Sequence, residues 1–226
     1  MNTNTIDVNK DYYLLKPFVS LFHKDTNDIP LSHLIAKRGN RKIPSNIAIF
    51  NMSSATSCPS MKLGLCKAQA QGAKCYAKKA ECGKFPTVLP YRNRQEKLWH
   101  KITAEEFARQ FLMINVFRRK PFIALRVNES GDFHSQACVD KVEKIARILK
   151  RNGIKTYMYT SRSDLDFSKV RDAVIHGSGF TKPGIKGIFK IIPNKKAKVK
   201  GFSLCKGDCG ICGLCQKFSN VCVVKH

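Results

Sequence analysis

Acidic side chains are scarce in this sequence: 16 Asp and Glu stand against 41 Lys and Arg, which leaves a formal charge of +25 on 226 residues. An imbalance of that size favours a polyanionic partner, and nucleic acid is the commonest one inside a cell. No stretch approaches the roughly 20 apolar residues of a membrane span, and the opening "MNTNTIDVNKDYY" lacks the apolar core of a signal peptide, so a soluble protein of the host-cell cytoplasm is expected. There is no Walker loop, no GxGxxG, no HExxH, and no histidine pair at the short spacing of a rolling-circle replication initiator. Those absences set aside P-loop enzymes, dinucleotide oxidoreductases, zincin proteases and replication initiators. Internal repeats and low-complexity linkers are missing too. Residues 1–45 read as an irregular N-terminal arm, and 46–226 as a single domain. With 43% hydrophobic and 9% aromatic residues, the chain has enough apolar material for one core.

What the chain has in excess is cysteine, ten in all. A reducing cytosol makes disulfides rare and leaves metal binding or redox chemistry as the ordinary use of clustered thiols. Four of them fall in "CKGDCGICGLC": Cys205, Cys209, Cys212 and Cys215. Read backwards, the spacing is the C-x2-C-x2-C-x3-C of bacterial ferredoxins, and glycines between the thiols let the backbone curl around an inorganic cube. Zinc sites usually draw two CxxC pairs from separated knuckles, so zinc is the alternative and an iron–sulfur cluster, 4Fe-4S in type, is the expectation. The first three also spell the C-x3-C-x2-C of radical S-adenosylmethionine enzymes, which carry it after their first barrel strand and not near the C-terminus. Cys58, Cys66 and Cys75 form a second group that needs a fourth ligand from elsewhere, so one or two clusters are expected from the seven. Cys82, Cys138 and Cys222 read as buried small hydrophobes or spare thiols.

Hydrophobic patterning places these groups. Strands are expected at "NIAIFNM" (46–52), "PFIALRVN" (121–128), "IKTYMYT" (154–160) and "IKGIFKIIP" (185–193). Helices are expected from Cys66, Tyr91, Thr103 and Cys138, and over "FSKVRDAVIHGSG" (167–179). Alternation of this kind predicts an α/β fold, mainly a parallel sheet or partial (β/α) barrel with a cysteine-rich C-terminal loop. Cys58, the loop "NESGDFHS", the stretch "SRSD" and the run "NKKAKVK" with its cysteine loop each follow a strand, so all should meet at the carboxyl edge of the sheet, where such folds hold ligands.

The residues at that edge suggest chemistry beyond holding a cluster. Arg126, Glu129, Asp132 and His134 fall together in one short stretch. Glu129 and Asp132 could hold a divalent cation for phosphodiester cleavage, although Ser130-Gly131-Asp132 also reads as a turn and Asp132 as a helix cap. Arg126 and Arg162 could clamp phosphate or neutralise a thiolate-rich cluster. Tyr157 and Tyr159 share one face of a strand, for core packing or base stacking. Residues 181–207 carry eight lysines and no acid, and Lys195, Lys196, Lys198 and Lys200 are the expected phosphate contacts. His226 is a further candidate ligand.

Taken in order, "SCPS" with Cys66, "CYA" at 75–77, "RVNESGDF" at 126–133, "YTSRS" at 159–163 and the cysteine-rich tail ending at His226 resemble the phage-borne family called gene product 88. The chain departs from that pattern with an additional serine before Arg162 and with Gln216 after the last clustered cysteine. The resemblance implies a phage or mobile-element protein and cluster ligation by the matched cysteines; it implies no settled activity. The leading expectation is therefore an iron–sulfur protein that binds DNA or RNA. A cluster-dependent enzyme, radical S-adenosylmethionine-like or redox, competes with it, as does a zinc-stapled structural protein with a host protein partner.

Overall fold

Strand order explains where the helices go. The computed structural model describes residues 31–225 apart from 37–39, 41, 71, 73, 74, 84 and 198. Its seven strands are β1 (Ile47–Phe50), β2 (Ala124–Val127), β3 (Lys155–Thr160), β4 (Val174–Ser178), β5 (Gly187–Ile192), β6 (Ser203–Leu204) and β7 (Val221–Val224). They make one all-parallel sheet in the order β1-β2-β3-β4-β5-β7-β6, not closed as a barrel. From β1 to β5 each strand is laid beside the one before it. Right-handed crossovers that always step the same way return on the same face, so the helices collect on one side.

The helices are α1 (Leu31–Leu34), α2 (Pro59–Lys62), α3 (Lys67–Ala70), α4 (Tyr76–Glu81), α5 (Val88–Lys101), α6 (Ala104–Val116), α7 (Gln136–Arg151) and α8 (Cys209–Cys212). A 3-10 turn follows at Leu214–Gln216. In α6, Thr103 caps the first turn by accepting the Glu106 N–H, and Ala104, Phe107, Ala108 and Phe111 form a buried stripe at helical spacing. α7 buries Val139, Val142, Ile145, Ala146 and Leu149 in the same way. These stripes pack on Ala48, Phe50, Leu125, Val127, Met158 and Ile175 of the sheet, with Trp99 of α5 tilted against Phe50 and edge-on to Phe107. Leu31, Leu34 and Ile35 join this core, and Ala36 bridges to Ile49, so residues 31–36 of the expected arm pack against the sheet while 1–30 lie outside the described residues.

Two expected helices are corrected. The stretch 167–179 supplies β4 instead: Val174 and Ile175 pair with β3, His176 and Gly177 pair with both β3 and β5, and Glu143 holds the preceding turn by accepting the N–H groups of Arg171, Asp172 and Ala173. β-branched residues with glycines at Gly177 and Gly179 suit a buried parallel strand better than a helix. The stretch from Cys66 to Glu81 breaks into α3 and α4, with Gly72 between them in the left-handed region at φ 62°.

Candidate functional site

The second face of the sheet carries the candidate site. Register puts Ile49, Arg126 and Tyr157 side by side, and Tyr159 beside His176, with Gly187 next in the row. An apolar floor of Ile43, Ile47, Ile49, Ala124 and Tyr157 takes Cys209 and Cys215 against it. Gly187 is required here, because a Cβ would stand 1.8 Å from the Ser219 carbonyl oxygen and 2.8 Å from His176 Nδ1.

The C-terminal segment crosses this face. It leaves β6 at one edge of the sheet, and Cys209 donates its N–H to the Lys42 carbonyl (2.9 Å), just before β1 at the opposite edge. Asp208 caps α8 by accepting the N–H groups of Gly210 (3.0 Å) and Ile211 (3.3 Å), and Gly213 at φ 57° ends that turn and starts the next. The His176 ring then meets the Cys215 carbonyl (3.1 Å). The cysteine loop therefore spans the open face and is not confined to the carboxyl edge, as the pattern of strands had suggested. Neither α8 nor the following 3-10 turn contains a buried residue, and Ile211 and Phe218 are 87% and 77% exposed. Apolar burial does little to hold this segment in place.

Arg126 is the charge at the centre of the face. It belongs to β2, within the strand expected at 121–128, and its guanidinium lies 5.3 Å from the Tyr159 ring and 6.0 Å from that of Tyr157. Its Nε is buried without a hydrogen bond, and among the described residues it has no ion-pair partner. Burial disfavours its charge, yet the surrounding phenols and Glu129 hold it protonated. Burial likewise pushes the Cys209 and Cys215 thiols up; Arg126 opposes that shift in both, and each of these thiols also feels Cys205 and Cys212. The four C-terminal cysteines thus share one electrostatic neighbourhood, and Arg126 acts on two of them, Cys209 and Cys215.

The upstream cysteines sit where the chain turns into short helices after β1. Cys58 precedes α2, Cys66 precedes α3 and Cys75 precedes α4. Burial raises the Cys58 thiol to about 12, with Asp132 and Cys66 adding to the shift. Tyr76, next to Cys75, donates its hydroxyl to the Glu129 carbonyl, and Asn40 donates to the Glu129 carboxylate.

Other expected site residues are held by internal partners. Asp132 is buried and accepts from Ser60 Oγ (2.6 Å), Thr160 Oγ1 (2.7 Å), Ser161 N–H (2.8 Å) and Phe133 N–H (2.9 Å). That carboxylate ties together the chain after β1, β2 and β3, and burial still raises its pKa. Gly131 beside it reaches φ 78° with no room for a Cβ against Ser53. Arg162 forks onto Asp164 (2.8 and 2.7 Å) and donates to the Phe133 and His134 carbonyls. Lys195, Lys196 and Lys200 are exposed without a carboxylate partner among the described residues; Lys198 and His226 lie outside those residues. Cys138 and Cys222 are buried, as expected, and Cys82 is exposed.

Two clusters were not anticipated. Glu81 is buried, pairs with Arg92 (2.9 Å), and accepts from Ala55 N–H, Thr56 N–H and Thr56 Oγ1. Glu96, His100 and His134 place one ligand atom each within 4.8 Å of one another, the only such group of three or more among the described residues. The Glu96-x3-His100 spacing, one helical turn in α5, was the signal that could have found it.

An all-parallel α/β domain with helices on one face and a cysteine-rich strap across the other is the class these features define. The family model for Gene product 88 matches residues 24–178, more than half of the chain, and the chain belongs to that family of phage gene products. The matched span contains Cys58, Cys66, Cys75, the 126–133 loop and the 159–163 stretch, and stops before the basic strip and the cysteine strap. No curated protein and no solved structure matches the chain.

Proposed function

We propose that this phage protein is an iron–sulfur protein in which Cys205, Cys209, Cys212 and Cys215 hold a cluster against the open face, and that it binds nucleic acid. The observation that carries the reading is Arg126: a half-buried cation with an orphaned Nε, without an ion-pair partner among the described residues, acting on Cys209 and Cys215. A four-thiolate cluster would bring the missing negative charge. The cluster would supply the cross-linking that the strap lacks in apolar burial, and an electron-transfer centre. Lys195, Lys196 and Lys200, exposed on the chain leading into the strap, would contact phosphates.

Anaerobic purification followed by an absorption spectrum, with iron, sulfide and zinc counted on the same sample, tests the reading. Brown protein with about four irons and four sulfides per chain supports it; colourless protein carrying stoichiometric zinc overturns the cluster. Nucleic-acid retention at low salt tests the second part, and no retention of either DNA or RNA removes it.

A cluster-dependent enzyme is the second reading, favoured by one observation: three cysteines, Cys58, Cys66 and Cys75, follow β1 of the open parallel sheet. A three-thiolate cluster leaves one iron open to a ligand such as S-adenosylmethionine. An unchanged cluster spectrum on adding S-adenosylmethionine to reconstituted protein excludes it.

A further inference from the structure

We propose that Glu96, His100 and His134 form a second metal site, for a divalent first-row transition ion with zinc foremost, separate from the cysteines. Two imidazoles and one carboxylate with their donor atoms inside 4.8 Å are the donor set and the span that such ions take. The three come from two parts of the chain: Glu96 and His100 sit one turn apart on α5, and His134 follows β2.

The surroundings orient these side chains. Ser57 donates its hydroxyl to Glu96 Oε2 (2.7 Å), leaving Oε1 toward His134 Nε2 at 3.4 Å. His134 Nε2 also lies 3.1 Å from the Met52 carbonyl oxygen, a backbone contact of the kind that fixes the orientation of a ligating imidazole. The His100 and His134 rings are tilted 56° to each other with their centroids 4.8 Å apart. Glu96 and His134 are about one-fifth exposed at their side chains and His100 is exposed, so the ion would be reachable from solvent and keep coordination positions for water or a ligand. Lys141 is the nearby cation acting on His100, and its ammonium is engaged with the Trp99 carbonyl and indole face. A plain Glu96–His134 ion pair would explain two of these residues and leave His100 without a role.

The test is anaerobic titration of the full-length protein with Co2+, comparing wild type with His100→Ala and Glu96→Gln. Thiolate-bound cobalt shows sulfur-to-metal charge transfer, and a histidine–carboxylate site shows only ligand-field bands. The expected result is one cobalt equivalent without charge transfer, its affinity lowered at least about tenfold in both variants while the charge-transfer equivalents stay unchanged. His100→Ala, at an exposed position, is the variant that leaves folding intact. Absence of a thiolate-free equivalent, or equal affinity in wild type and His100→Ala, overturns the site.

Discussion

The two faces of the sheet are held by different physics. On one, α5, α6 and α7 bury Trp99, Phe107, Phe111, Val142 and Leu149 against Phe50, Leu125 and Met158, an apolar interface that needs no ligand. On the other, a strap without a buried residue in its helical turns lies over Arg126, Tyr159 and His176. The first face gains its stability from area removed from water. The second has polar groups and thiols gathered where burial disfavours them, an arrangement that suits a bound centre and not a core.

Breaking the first face should give the largest loss. Phe107→Ala is expected to cost about 3–5 kcal/mol, since an edge-to-face ring in a packed core leaves a cavity. Denaturant unfolding should show this equally in metal-loaded and chelator-treated protein. If chelation changes the cost, the two faces are not independent.

The second face should respond in the opposite way. Arg126→Met is expected to leave the chelated protein's unfolding midpoint nearly unchanged, because Arg126 makes no ion pair among the described residues, but to reduce iron retention severalfold and shift any cluster potential to more negative values. Iron content and redox titration measure both. Full iron retention in Arg126→Met would sever the link between this cation and the cysteines.

Acid sharpens the contrast between two buried carboxylates on the helix-bearing loops. Burial raises the Glu81 pKa, but hydrogen bonds from Ala55, Thr56 and Arg92 outweigh it and leave the group lowered from 4.5. Its stabilisation is therefore present above its unfolded pKa and is lost as pH falls below about 4.5 toward the depressed folded value. Asp132 is shifted the other way and does not add to that loss. Glu81→Gln should flatten the pH dependence of stability below pH 5, measured by urea midpoints from pH 3 to 7; an unchanged slope would assign acid sensitivity elsewhere.

How much of this was legible follows from which residues act locally. The parallel α/β class, β1, β2, β3 and β5, and the helices at 104–116 and 136–151 announce themselves through periodicity and caps that involve near neighbours. β4 did not, because its strand state depends on two flanking strands and on Glu143. Cys205–Cys215 are conspicuous by spacing, but the path of the strap to Lys42 follows from tertiary packing no spacing encodes. Asp132 and Arg162 stood out as chemical types and prove to be fully hydrogen-bonded ties between loops. Arg126 falls inside the strand expected at 121–128, and strand register puts it on the open face beside Ile49 and Tyr157. His100 and His134 are remote in sequence, so their meeting is a product of the fold.

The smallest effect separates the strap from the strip that precedes it. Lys195 and Lys196 are exposed, and Asn194 Oδ1 shapes their turn by accepting the N–H groups of Lys196 and Ala197, so neither ammonium carries structure. If they contact phosphates, each Lys→Ala should reduce the slope of log affinity against log salt by about 1, uniformly across sequences, with no change in thermal stability. A fluorescence titration with a labelled oligonucleotide at several salt concentrations reads this directly. A change in slope without loss of iron would make nucleic-acid binding a property of the strip alone; a change that appears only in iron-loaded protein would mean that the centre on the open face sets the strip in place.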